Sequence, residues 1–549
     1  NTEKDSRMFI VDHATMKLSN TKASNVKSAL GINVASNIDP ETKTFMLYKG
    51  FLKLDQDINL DDATDAYNQV ELSSSKISNK QSNTMTGTKA GQVGMAQENT
   101  DANRTVVTLS NEGTMNLSGD KSVGMYAKYG VIKNEATGVM NMGTNSTALY
   151  GVGDSELTND GIINLGSGST GLYSESTATP SAEMKNTGTI KSTQAKTIGM
   201  TYNGNGTGTT TDTRVTNSGT IDLSGDQSVG IYGMGQNYQI LNSGKVTIGD
   251  SANLSSPSVG IFTDVSTISI KNTGAVKAGN NSIGIYGFDA DNAGTIQTGD
   301  NGIGIYSKKL SSGPSTVNHS GTINVGNADA TGIFLEDGGN LNFSSGAINV
   351  GNDSYGIVVV GNSPFNYTNT SAATVTLGNG STYFYSNNPT TNITNEVSLN
   401  NPSGVGIYGI SSPGTIVNNA SFTLGDQSVG ILNTGTGVAT NKGTIVVGNS
   451  DTENKNYAIG MATTTGKVIN DSTGSITVGS NGIGLFADGA SSQAENNGTI
   501  NIAGDSGMGM YLDNGAKGVN NGTITTLGTP TGAIGVVVQH KAELINNGT

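Results

Sequence analysis

The 549-residue chain has no cysteine and no tryptophan. Without cysteine there are no disulfide staples and no thiolate metal sites. Charged residues make up only 13% of the chain, apolar residues 34% and aromatic residues 5%. Arginine occurs three times, as Arg7, Arg104 and Arg214. With a formal net charge of −14, the chain offers no basic face to nucleic-acid phosphates. No apolar run approaches the ~18 residues of a membrane-spanning helix. The chain opens on Asn1 without a signal-peptide pattern. It ends in NNGT, which elsewhere opens a repeat, so it reads as a piece of something longer.

Glycine is abundant, at 78 residues, and such a polar chain could remain disordered. Periodicity argues otherwise. Residues 217–232 read NSGTIDLSGDQSVGIY, and looser copies recur throughout: GDKSVGMY at 119, GDNGIGIY at 299, GDQSVGI at 425 and GDSGMGMY at 504. The spacing is about 25 residues, the size of one solenoid coil. In TIDL, Ile221 and Leu223 share one face; in SVGIY, Val229 and Ile231 are expected to do the same. The residue two before the opening Asn is often apolar (Leu109, Leu157, Met184, Val215, Ile240, Ile270, Leu544), which marks a third short strand.

Three strands separated by Gly, Asn and Asp turns predict an all-β fold. It is a right-handed parallel β-helix (β-solenoid) of about 18 coils of about 25 residues. Residues 1–90 are richer in Lys and Asp and read as an N-terminal cap or irregular start. Within them, 21–30 (TKASNVKSAL) suits a short helix and 45–60 (FMLYKGFLKLDQDINL) suits strand. Residues 91–549 are the repeat array.

Several motifs lose their first meaning on comparison with their copies. GDSG at 504–507 resembles a protease serine loop, but equivalent positions read GDKS, GDQS and GDNG, so the serine is a turn residue without a triad. GSGSTG at 166–171 lacks the helix of a dinucleotide fingerprint. The turn acids Asp120, Asp226, Asp250, Asp300, Asp426 and Asp505 are expected to serve turns rather than calcium. No paired carboxylates with attendant cations suggest polysaccharide cleavage. The expectation is no enzyme, no catalytic residue, no metal and no cofactor. Asn111, Asn159, Asn186, Asn217, Asn242, Asn272 and Asn292 should stack as an amide ladder.

Candidate binding residues are aromatic. The last position of S-V-G-I-Y is aromatic in twelve of 17 copies, including Tyr232, Tyr286, Tyr306, Tyr385 and Tyr408. Alternation turns this position outward, where rings could stack on sugars or protein. Variable loops are the other candidates: 203–213, 449–457, and the zone 361–404, which gathers Phe365, Tyr367, Tyr383, Phe384 and Tyr385.

The repeats NSGTIDLSGDQSVGIY and NNGTINIAGDSGMGMY resemble passenger domains of type V autotransporters, in particular the large outer-membrane adhesins of fusobacteria. The resemblance spans about 110–549. It implies an extracellular passenger at the cell surface, tethered to the outer membrane through a C-terminal β-barrel absent from this chain. It also implies attachment to other bacteria or host cells through glycan or protein receptors, without chemistry. The alternatives are a structural stalk without its own ligand and, third, a polysaccharide-degrading enzyme. No family binding residue can be matched to a position here.

Overall fold

The computed structural model describes residues 9–12, 15–18, 45–48, 51–54, 58–59, 75–79, 81–98, 107–176, 182–205, 209–309 and 313–549. The fold is a parallel right-handed β-solenoid of about 17 turns without a helix among the described residues. Two compact units divide it, Asn1–Ser282 and Ile283–Thr549. The helix expected over 21–30 falls outside the described residues. Strands Phe45–Tyr48 and Phe51–Leu54 lie within 45–60. Phe51–Leu54 pairs with Thr15–Leu18 on one side and Ser75–Asn79 on the other.

One coil shows how the sequence builds the fold. Its strands are Thr213–Asn217, Thr220–Leu223 and Val229–Gln236. Each pairs in parallel with its counterpart one coil later, Tyr238–Asn242, Lys245–Ile248 and Val259–Thr263. Three sheets therefore run through each unit. Identical positions stack into columns, so one apolar position per coil becomes a continuous seam. Met115, Met140, Ile163, Ile190, Ile221, Val246 and Val276 form one seam of the first unit, and all are at most 1% exposed.

The turns explain the motif. A Cβ on Gly219 of N-S-G would lie 2.2 Å from the Gly188 carbonyl oxygen of the previous coil, so only glycine allows the coils to close up. In GDQS the third residue is left-handed, with φ of 55° at Gln227 and 58° at Gln427. Ser506 of GDSG has the same φ of 55°, which makes it the turn residue its copies implied. The final serine is buried, and its hydroxyl accepts a backbone N–H from the preceding coil: Thr197 N to Ser228 Oγ at 3.2 Å, Ile407 N to Ser428 Oγ at 3.1 Å.

Buried asparagines supply the polar spine. In the first unit Nδ2 of each donates to Oδ1 of the next through Asn79, Asn111, Asn134, Asn159, Asn186, Asn217, Asn242 and Asn272, at 2.7–2.9 Å. The second unit repeats this from Asn395 through Asn418, Asn441, Asn470, Asn496 and Asn520 to Asn546. Earlier in the second unit the column reads Asn292, His319, Phe343 and Asn369. Asn292 Nδ2 lies 3.1 Å from His319 Nδ1, and Nε2 lies 3.2 Å from the Ala347 carbonyl. These contacts fit a neutral ring with its proton on Nε2.

The third strand departs from strict alternation. Ile231 is fully buried, but Val229 is half-exposed and Gly230 faces inward beside Ile231. Val229 and Ile231 therefore do not share a face. The strand bends at Gly230, where a Cβ would meet Gly260 O at 2.4 Å and Val246 Cγ1 at 2.5 Å. Two inward residues in succession then return Tyr232 to the outside.

Candidate binding surface

The outer edge of the third sheet carries the aromatic column. Its members pair as Tyr126–Tyr150–Tyr173–Thr201–Tyr232–Phe262 in the first unit. In the second unit they pair as Tyr286–Tyr306–Phe334–Val358–Tyr385–Ser411 and onward to Phe486 and Tyr511. Tyr408 is not a member. The motif GIY at 406–408 is a decoy: Tyr408 pairs with Thr382 and Val429, and Ser411 takes the expected place. Ile407 fills the inward turn position normally held by serine and is fully buried.

Tyr232, Tyr286 and Tyr306 are half-exposed, but their faces are partly taken by one another. Tyr286 and Tyr306 stack at 4.8 Å and 18°, and Tyr306 and Phe334 at 4.9 Å and 22°. Tyr306 is thereby stacked against from both sides. In contrast, Tyr126–Tyr150 and Tyr150–Tyr173 meet edge to face, at 74° and 80°. Burial and the nearby Glu336 carboxylate push the Tyr306 phenol well above its ordinary range.

The zone 361–404 differs from expectation. Phe365, Tyr383 and Phe384 are fully buried, and Tyr367 is 7% exposed. These four rings fill the bore and are unavailable to a ligand. Phe384 continues the inward column of Ile357 and Ile410. Tyr383 lies opposite Gly356, in the place glycine holds in most coils, and a Cβ on Gly356 would point at the Tyr383 carbonyl. Its hydroxyl lies 2.5 Å from that of Tyr367 and 3.3 Å from Asn395 Oδ1, so the pair meets the Asn spine where it restarts. Burial raises both phenols. The first unit holds a similar pair that sequence reasoning missed. Tyr202 and Tyr238 are buried at a centroid distance of 4.9 Å, and Tyr238 Oη donates to the Tyr202 carbonyl at 2.8 Å. The signal was the small residue, Gly233, that pairs with Tyr202.

Tyr385 alone of the five aromatic candidates in this zone faces out, at 36% exposure; Tyr408, on the next strand and opposite Thr382, is 37% exposed. Tyr355, one coil before Tyr385, completes a patch: its ring meets Tyr385 edge-on at 5.9 Å and 62°. Tyr355, Tyr385 and Tyr408 lie on the successive strands Tyr355–Val359, Thr382–Ser386 and Tyr408–Ser412. No lysine or arginine occurs from Leu310 to Asn441.

Five of the six turn acids are staples between coils; the carboxylate of the sixth, Asp226, accepts the N–H of its neighbour Gln227. Asp250 Oδ1 accepts Asn280 N, Asp300 Oδ1 accepts Asn327 N, Asp426 Oδ1 accepts Asn449 N and Asp505 Oδ1 accepts Thr531 N, at 2.6–2.9 Å. Asn145 and Thr144 donate to Asp120 and hold its carboxyl below the ordinary range. No cluster of metal-ligating side chains occurs among the described residues. In the loop 449–457, a short antiparallel bridge joins Asp451 to Asn456 and leaves Tyr457 40% exposed. Of the loop 203–213, residues 206–208 lie outside the described residues.

A cleft of about 340 Å³ lies beside Lys309, Pro314, Asp337 and Pro364. Its carboxylate is already engaged by Lys309, the Asn362 and Ser363 N–H groups and the Ser363 hydroxyl, which together hold Asp337 well below the ordinary carboxylate range.

Residues 315–522 match the family described as the BigA third pectate lyase-like domain. The match supports an autotransporter-like β-helix passenger. It covers most of the second unit, including Tyr355, Tyr385 and Tyr408. No curated protein matches the chain, and no solved structure matches it.

Proposed function

We propose that this chain is a passenger segment of a cell-surface adhesin, which attaches to other bacteria or to host cells through glycan or protein receptors and performs no chemistry. The observation that carries this reading is the match over 315–522 to an adhesin-type β-helix domain. Surface location and tethering to an outer-membrane barrel belong to the same proposal. The resemblance to fusobacterial adhesins is its narrower form and rests on the repeat motifs alone.

The interior is consistent with a scaffold. Its asparagine columns are hydrogen-bonded in ladders that run from coil to coil, so the coils can repeat without a dedicated site. What differs from coil to coil is the outer face and the loops, where binding residues commonly sit. A structural stalk is the second reading, favoured by the stack Tyr286–Tyr306–Phe334, whose faces are occupied by one another. Cleavage of a polyuronate, which the words pectate lyase-like would suggest, finds no support in coils that lack lysine and arginine from 310 to 441 and carry only Lys442, Lys455, Lys467 and Lys517 from there to 522.

Particles coated with the chain test the proposal. Adherence to bacterial or epithelial cells above that of uncoated particles is expected. Absence of adherence across such cells would leave the stalk. Incubation with polygalacturonate should release no unsaturated product; release would restore the enzyme.

A further inference from the structure

We infer that the outer face formed by Tyr355, Tyr385 and Tyr408 binds a neutral saccharide. The inference rests on the adhesin reading and names its ligand class. The three rings sit on consecutive coils. From Tyr355 to Tyr408 they cross two rungs, about 10 Å, the reach of a disaccharide.

Tyr385 and Tyr408 are the exposed rings of the three, while Tyr355 is half-buried and meets Tyr385 edge to face. In its own column Tyr385 is flanked by Val358 and Ser411, and Tyr408 by Thr382 and Val429, all of them buried and none aromatic. This separates the patch from the stacked run Tyr286–Tyr306–Phe334, whose middle ring Tyr306 is stacked against from both sides. Exposed aromatic faces suit the C–H face of a sugar ring. Two exposed amides lie close in sequence to the rings, Asn387 two residues after Tyr385 and Asn379 three before Thr382; their oxygens accept Gly361 N and Val405 N, so their N–H groups are what suits the hydroxyl rim.

Charge selects among saccharides. Asp329 and Asp353 are the exposed charges nearest in sequence to Tyr355, and the Asp329 carboxylate, after burial, raises the Tyr355 phenol. No lysine or arginine lies anywhere in 310–441, and His319 is buried with its pKa lowered by desolvation. An anionic sugar or phosphate would meet only like charge here. A neutral glycan meets no such penalty.

Titration calorimetry on the full chain tests this, with neutral malto-, cello- and galacto-oligosaccharides as one set of probes and polygalacturonate as the other. At least one neutral probe should bind, with an affinity that changes little when salt is raised. Polygalacturonate should not bind. The double substitution Tyr385→Ala with Tyr408→Ala should weaken binding about tenfold or more. Tyr385→Phe with Tyr408→Phe should retain it, which separates loss of the rings from loss of the fold.

Binding that prefers the acidic probe, binding that collapses in salt, or no binding to any neutral probe would overturn the inference. So would neutral binding that survives the double alanine substitution. Cell adherence that survives that substitution would overturn this site and leave the adhesin reading standing. Absence of adherence by the unsubstituted chain would overturn the adhesin reading itself.

Discussion

Tyr383 and Tyr385 stand two positions apart and face opposite environments. Tyr383 replaces a column glycine and sends its ring into the bore; Tyr385 sends its ring to solvent. Tyr383→Ala should therefore lower unfolding stability by about 3–5 kcal/mol, the usual result of deleting a buried ring. Tyr385→Ala should lower it clearly less, by about 1 kcal/mol, the worth of its ring contact with Tyr355. Denaturant midpoints of the two variants check both values.

His319 offers a pH test at the same scale. Desolvation lowers its pKa below the ordinary 6.5, so the unfolded chain binds the proton more readily than the folded one. Its contribution to stability is then whole above pH ~6.5 and declines as pH falls through the window below that value. His319→Asn would place an amide in an amide column. Between about pH 7.5 and 5, the variant should lose less stability than the parent chain. An equal loss would show that the ring is not held neutral.

At the scale of the element, the bend in the third strand depends on glycine. Gly430→Ala would drive a Cβ to 2.6 Å from Gly460 O and 2.7 Å from Ile445 Cγ2. The strand Val429–Asn433 and its pairing to Ile459–Thr463 should loosen, seen as faster amide exchange there. Gly535→Ala, in the same column of the last coil, meets nothing within 4 Å and should be tolerated. The Asn spine gives a second element-level test. Asn217→Asp keeps the shape but cannot donate to Asn242, and it buries a carboxylate. Stability should fall by about 3 kcal/mol or more at neutral pH and partly recover in acid, as the buried carboxyl takes up a proton.

Much of this element structure was legible because the repeat tests itself. A position that is apolar in TIDL, or asparagine before the turn, recurs in most coils and so declares its direction. Three features were not legible, each for a physical reason. Val229 and Ile231 alternate on paper, but the glycine bend puts two inward residues in a row. GIY at 406–408 fits the repeat in two registers, and burial of Ile407 selects the one that displaces Tyr408. The aromatics of 361–404 looked like a binding cluster because loss of the motif resembles a loop. In fact Tyr383 occupies a glycine position and the neighbouring rings fill the same bore, so four of five candidates were core.

At the scale of the whole molecule, charge and repetition set the kind of contact available. A net charge of −14 with scattered lysines disfavours adhesion by attraction to acidic surfaces. Adherence should therefore persist when ionic strength is raised from about 0.05 to 0.5 M, since screening removes only long-range steering. The central claim is that the coils form a scaffold that attaches cells through an outward aromatic patch. Adherence of particles coated with the full chain tests it most directly, comparing the unsubstituted protein with Tyr385→Ala/Tyr408→Ala. The account predicts strong adherence by the former and loss by the latter. Equal adherence by both, or none by either, would contradict it.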